Sequence, residues 1–476
     1  MCASLRPLLL VAAVILLLPG VSLAQDPCPV CNPRLQEEEP PPPAAPDAPE
    51  GGGEEDGPET EEDQDRWLAV VGGDVYTVSG PVLRGATILV KNRTIRAIGT
   101  SVSIPEGAEI IPATGFRVYP GIVAVRSSGL GASGRNPEDA FNPYGFNLVL
   151  ALAHGITTVS TGDAAVKLTY GSLEDHVLKR DLFVRVPLDR RNPDQHRKLR
   201  QDLEKVREYL RQHERYELQK SLGDEEAKEP DAKWLKGSYA GYLKLLRREK
   251  KGYLSATSRT EILTAARLAA DFSFDLVIER ATEAWTIADD LGRSGVQVVL
   301  SVRQGRQPAE DPRSVQKTGW TIENASILHA GGVPFAIIPE TSSISTLFGI
   351  AGRDLLAIAQ EAGFAVRGGL SEEAALRSIT LEPARILGVD ARVGSLEVGK
   401  DADIIVTDGD LLHYNTWVQW AVVNGRIVYD KEKESLVRHI RSRHPETAEE
   451  LIQFWPRRLG DSPGGFGTEK VQGGSR

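Results

Sequence analysis

Val393-Gly-Ser-Leu-Glu-Val-Gly-Lys-Asp-Ala-Asp-Ile-Ile-Val-Thr407 is the stretch that decides how the chain is organised. Gly394 and Gly399 supply turns, Lys400, Asp401 and Asp403 make a charged connector, and Ala402 to Thr407 reads as an apolar strand. A second apolar run, Trp420 to Val423, meets Asn424-Gly425 and continues as Arg426 to Tyr429, a hairpin closed by a two-residue turn. The same texture occurs far upstream. Leu68–Val71, Asp74–Val78, Ala86–Val90 and Thr94–Ile98 are short strands parted by Gly72-Gly73, Ser79-Gly80 and Lys91-Asn92-Arg93. Residues 67–118 and 386–430 are therefore expected to build one composite β-sandwich domain around a long insert.

The insert, 119–385, alternates apolar strands with helical patterns. Ile122–Val125, Thr157–Val159, Leu182–Val186, Leu276–Ile278, Val296–Leu300 and Phe335–Ile338 are strand candidates; Ile262–Phe272 and Ala284–Leu291 read as helices. This alternation implies an α/β fold with a parallel sheet, and about 265 residues suits a TIM-like (β/α)8 barrel. Residues 190–251 interrupt it with dense charge. Leu199, Leu203, Val206 and Leu210 recur at helical spacing, which predicts an amphipathic helix over 197–216. Glu204, Glu208, Glu214 and Glu217 interleave with its basic residues, so it reads as a solvated insertion and not as a nucleic-acid surface.

The 476-residue chain carries a formal charge of −10, and the acidity is local. Residues 33–66 hold 13 Asp and Glu against Arg34 and Arg66, leaving the remainder near neutral. Four consecutive prolines, Pro40–Pro43, lie in the same stretch, so 25–66 is expected to be an extended linker with too few apolar groups to fold. Ahead of it, the apolar run Leu8–Leu18 and the small-residue site Ser22-Leu23-Ala24 read as a secretory signal over 1–24. Eleven apolar residues rise only ~16 Å as a helix, short of a ~30 Å hydrocarbon core. Export to a periplasmic or extracellular space is expected, with no membrane span after cleavage. Cys28 and Cys31 then remain, as a local staple or a weak metal or partner contact. Residues 431–476 read as a charged helix followed by a Gly-rich tail.

Val118-Tyr-Pro-Gly-Ile-Val123, Ala153-His-Gly-Ile-Thr-Thr-Val159, Glu372–Thr380, Glu382–Gly388 and the opening block together resemble the amidohydrolase superfamily, in its imidazolonepropionase-like branch, over roughly 67–430. The resemblance implies a site at the C-terminal ends of the barrel strands, where zinc or another divalent metal activates water to cleave non-peptide C–N bonds. The family carries His-x-His after the first-strand Pro-Gly; here those two positions are Arg126 and Ser128, and the Asp before them is Ala124. Two later ligand positions fall at Ser255 and Arg280, and the family's metal-holding Asp aligns with Glu340.

A catalytic zinc needs about three imidazole or carboxylate ligands and an open position. A guanidinium has no lone pair to offer and stays protonated in proteins. At ~5 Å and an effective dielectric of ~20, it repels a divalent cation by about 6–7 kcal/mol. Of the eight His, His196 and His213 lie in the insertion and His413, His439 and His444 beyond the barrel; His154 and His329 read as packing or surface residues, and His176 sits in a loop. The expectation is a non-catalytic binding or scaffolding homologue that needs no cofactor. Arg126, Ser128, Ser255 and Arg280 would form its binding positions. Arg126 and Arg280 would face inward, pairing with Glu279 or Glu340 or holding a small anionic ligand. An active homologue or a second copy is the implied protein partner, and no nucleic acid is implied. The alternative is a C–N hydrolase with a shifted or metal-free site based on Glu340.

Overall fold

The computed structural model describes residues 65–130, 141–188, 192–224, 226–303, 319–344 and 352–438. The signal-like start, nearly all of the acidic linker with Cys28 and Cys31, and most of the C-terminal tail lie outside them. The fold is mixed α/β. Strands β1 (Trp67–Tyr76), β2 (Val82–Lys91), β3 (Thr94–Gly99), β4 (Glu109–Pro112) and β5 (Arg117–Pro120) open it. The body follows with β6 (Ile122–Ser127), α1 (Phe146–Ala153), β7 (Ile156–Thr161), β8 (Ala164–Lys167), β9 (Val177–Arg180) and β10 (Phe183–Arg185). Next come α2 (Pro193–Ser221), α3 (Ser238–Leu246), β11 (Lys251–Ala256), α4 (Arg259–Phe272), β12 (Leu276–Arg280), α5 (Ala288–Ser294) and β13 (Gln297–Leu300). Then α6 (Asn324–Ala330), β14 (Phe335–Ile337), α7 (Ile358–Arg367), α8 (Glu372–Ile379) and α9 (Leu381–Leu387) lead to β15 (Ile404–Thr407), β16 (Val418–Val423) and β17 (Arg426–Asp430).

The two distant β segments join one hydrogen-bonded sheet, in the order β17-β16-β15-β5-β1-β2-β3, with β4 paired to β1. It is one continuous eight-stranded hydrogen-bonded sheet. Irregular pairing of β1 with β2 between Val70 and Val75 lets its first half take β4 and its second half take β5. Side chains alternate as a pleat requires. Ile404 and Val406 join Leu68, Ile88 and Val118 in a small core, whereas Ile405 and Tyr119 join the larger core of the body. The hairpin turn holds Asn424 at φ 50° and Gly425 at φ 65°, the positive pair that a tight β-turn of this hand requires.

In the body, β10 to β14 form a five-stranded parallel sheet, and β6 and β7 are parallel neighbours. An isolated parallel bridge between Ser128 and Ser343 joins the end of β6 to the segment after β14. The described ladder is not one unbroken parallel ring. After β7 the chain turns at Gly162 (φ 60°) and returns antiparallel as β8 and β9. The inserted helix α2 is longer than its apolar spacing predicts. Asn192 caps it by accepting the Gln195 N–H, with Pro193 in the first turn. Its buried stripe is Leu199, Leu203, Val206 and Tyr209. Tyr209 replaces the expected Leu210 because its ring reaches Trp234, with centroids 5.9 Å apart.

One charged cluster ties body to sheet. Lys167, at the end of β8, is fully buried. Its Nζ donates to Asp401 Oδ2 (2.8 Å), Asp403 Oδ1 (2.9 Å) and Asn424 Oδ1 (2.7 Å). An ammonium has three N–H groups, and all three are used. Arg392 Nε also donates to Asp401, at 2.8 Å. Replacing Lys167 by Met leaves two buried carboxylates short of a counter-charge, and breaking such a pair typically costs about 3–5 kcal/mol. Urea denaturation of Lys167→Met is expected to show a loss of that order; a loss below about 1 kcal/mol would contradict the role given to the cluster.

Candidate functional site

Strand ends set the candidate site. Residues two apart on a strand share a face. Phe183 and Arg185 on β10 therefore project together, as do Tyr253 and Ser255 on β11. Arg185 is the register partner of Tyr253, and Ser255 that of Glu279 on β12. Together with Arg126 near the end of β6, these strands border a cavity of about 920 Å³. Its floor includes Val125 and Ala164, and the β7–β8 turn supplies Asp163.

Arg126 Nη1 forms an ion pair with Glu279 Oε1. Glu279 is only 8% exposed, so its carboxylate depends on this partner. The Tyr253 hydroxyl lies beside the same carboxylate. Burial pushes that hydroxyl well above the ordinary tyrosine range, and the Glu279 charge pushes it the same way, so Tyr253 stays protonated. Arg126 Nε is buried without a hydrogen-bond partner among the described residues. Arg185 lies over the Tyr253 ring at 5.9 Å.

The other sequence-derived positions separate. Ser255 is exposed and lines an adjoining cavity of about 530 Å³ together with Arg185, Tyr253 and Glu279. Ser128 is exposed; its N–H donates to Ser342 O at 2.9 Å, so its role here is strand pairing. Arg280, expected to face inward, is instead exposed and outside the cavity, because the chain leaves β12 there at φ 74°. Glu340, expected beside the arginines, is exposed and makes no ion pair among the described residues. His176 is buried and stacked on Phe141 at 5.0 Å, with Nδ1 2.6 Å from Leu173 O, and does not line the cavity. Burial pushes the His154 imidazole below its ordinary pKa, as suits a packed neutral ring.

Reading the motif positions alone misses Tyr253, Arg185 and Asp163. The pleat periodicity in Phe183-Val-Arg185 and Tyr253-Leu-Ser255 was the available signal. Among the described residues no three His, Cys, Asp or Glu converge in a manner suited to a metal ion. Among the described residues, the position after the first-strand Pro-Gly carries the Arg126 guanidinium, which has no lone pair to offer a metal, and neither Ser128 nor Arg280 lines the cavity. A second cavity, about 860 Å³, lies away from the strand ends, between β5 and α8. Its Arg117 is already neutralised by Asp410 at 2.9 Å.

Comparison with known proteins bears on this geometry. The amidohydrolase family model matches residues 273–438. N-acetylglucosamine-6-phosphate deacetylase of Rattus norvegicus is 41% identical over 68 residues, 14% of this chain and 15% of that protein. The same enzyme of Homo sapiens is 39% identical over 64 residues, 13% of this chain and 14% of that protein. The alignments thus span about 15% of these curated relatives' length. Among solved structures, an amidohydrolase from Thermotoga maritima MSB8 superposes with a TM-score of 0.56 at 24% identity, over 76% of this chain and 100% of that one. Molinate hydrolase gives 0.50 at 17% identity, over 76% and 94%. These likenesses are of fold.

The Arg126–Glu279 pair is testable by itself. Arg126→Ala leaves Glu279 buried and unpaired. The expected loss in a denaturant titration is about 2 kcal/mol, below that of a fully buried pair because Arg126 keeps a third of its side chain in solvent. Adding Glu279→Gln to Arg126→Ala should recover most of it. A double variant no more stable than the single one would show that Glu279 does not need its partner.

Proposed function

We propose that this chain, which belongs to the amidohydrolase superfamily, is an exported, non-catalytic homologue whose role is binding or scaffolding. The observation that carries the reading is the Arg126–Glu279 ion pair. The family's first-strand position holds a permanent cation that is already committed to a neighbouring carboxylate. No Lewis acid is recruited by such a group, and no water is brought toward a neutral-range pKa by it. A (β/α)8 arrangement belongs to the same reading. It is supported by the parallel runs β6–β7 and β10–β14 and by the Ser128–Ser343 bridge. Export is supported by the Leu8–Leu18 run followed by Ser22-Leu23-Ala24. Among the described residues no helix is long and apolar enough to cross a membrane. An active homologue or a second copy of this chain is the protein partner such a role would serve.

Elemental analysis of the purified chain is expected to find less than about 0.1 zinc, iron or manganese per molecule, and EDTA to leave the melting temperature unchanged. Assays against N-acetyl sugars and cyclic imides should show no turnover above background. A stoichiometric divalent metal with turnover that EDTA abolishes would overturn the reading. Metal-free turnover abolished by Glu340→Gln would replace it with the hydrolase alternative.

A further inference from the structure

We infer that a segment of this chain's own C-terminal region, residues 445–455, docks on an exposed aromatic surface beside α1. This contact does not depend on whether the strand ends are catalytic.

Two neighbouring stretches build the surface. Tyr144 and Phe146 lead into α1, and Tyr170 and Leu173 lie in the turn between β8 and β9. Each of the four leaves between 42% and 68% of its surface in solvent. The Gly171 N–H donates to Pro143 O at 3.1 Å, so the two stretches run side by side. The Tyr144 and Tyr170 rings meet edge to face, with centroids 5.9 Å apart. Single exposed apolar residues are ordinary on a protein surface, whereas four gathered on two hydrogen-bonded segments mark a contact surface.

Residues 439–476 lie outside the described residues, and their sequence carries a matching element. Ala448, Leu451, Ile452 and Trp455 recur at the i, i+3, i+4, i+7 spacing of one helix face, while Glu449, Glu450 and Gln453 fall on the other. Pro445 suits a first helical turn, and Pro456 stops the pattern. Eleven residues are too few to hold a helix in water by themselves, so this stripe needs an apolar surface to form against.

The course of the chain selects the occupant. β16 and β17 pack against α1. Arg426, at the start of β17, pairs with Glu174 at 2.9 Å, next to Leu173. After β17 the Lys431 N–H donates to Gln419 O at 2.9 Å, and the neighbouring Val418 lies against Gly155, just past the end of α1. Val437 packs on the larger core, which includes Leu148, Ala151 and Leu152 of α1. The described chain therefore ends on the side of α1, an eight-residue helix only ~12 Å long. Ten residues separate Arg438 from Ala448, and an extended chain of that length reaches ~33 Å. The tail can thus reach the surface of its own molecule, and docking there avoids the entropy cost of bringing two copies together.

Hydrogen exchange of the full chain, read by mass spectrometry at two protein concentrations about fiftyfold apart, tests this. Amides of 448–455 are expected to exchange at least about tenfold more slowly than in a synthetic peptide of residues 439–476, equally at both concentrations. Tyr144→Ser with Phe146→Ser, at exposed positions, should return those amides to the peptide's rate. Leu451→Ser with Trp455→Ser, which leaves every described residue intact, should raise exchange in 144–150 and 169–173. Exchange across β11 to β14 reports whether the body stays folded; if the first pair of substitutions unfolds it, the second pair decides. Exchange at the peptide's rate in the unsubstituted chain, or indifference to the substitutions, would overturn the inference. Protection seen only at the higher concentration would overturn it in favour of docking between copies.

Discussion

A buried ammonium holds the two parts of this fold in register. Lys167 comes from the body, Asp401 and Asp403 from the connector, and Asn424 from the hairpin turn of the sheet. A lysine taken wholly out of water is tolerable only when every N–H meets an acceptor, and acceptors that carry charge are stronger still. Those acceptors come from chain segments more than two hundred residues away, so the contact specifies which ends of the chain must meet. Hydrophobic burial cannot do that alone, since Ile404, Ile405 and Val406 would pack against many apolar surfaces. The geometry of the Lys167 cluster has one solution.

Charge neutralisation works differently at the strand ends. Arg126 and Glu279 also pair across the body, but Arg126 keeps a third of its side chain in solvent and its Nε has no partner. Lys167 is satisfied on all sides and Arg126 is not. The first arrangement is what a structural ion cluster requires. The second leaves a donor of the pair unmatched at the strand ends. The same residue chemistry is thus fully buried in one location and partly solvated in the other.

Much of this was legible in the residues. Short apolar runs parted by turn residues and the Asn424-Gly425 turn located most of the strands, and Leu199, Leu203 and Val206 located the long inserted helix. The family resemblance rests on motifs whose work is local: Pro120-Gly121 enters β6, and Gly394 and Gly399 turn the connector. Register across the body was less accessible. Arg280 differs from Glu279 by one residue, and that single step decides which faces the cavity, because side chains alternate on a strand. Glu340 was placed by its distance after Phe335–Ile338, but a residue beyond the end of a strand is no longer held by the ladder. Lys167 gave no signal at all. Nothing in Ala164-Ala-Val-Lys167 announces that its last side chain turns inward, since its partners lie in another part of the chain.

On the proposed reading, in which Arg and Ser stand at ligand positions of the family, the fold supplies its own partners at the strand ends. In a site that a metal holds together, the ion screens carboxylates and imidazoles from one another, and removing it leaves them unmatched. Here the strand ends need no such screening. Arg126 neutralises Glu279, Tyr253 lies beside the same carboxylate, and Ser128 spends its backbone N–H on the bridge to the segment after β14. The Arg126–Glu279 pair and the Ser128 bridge are both made by the chain's own groups.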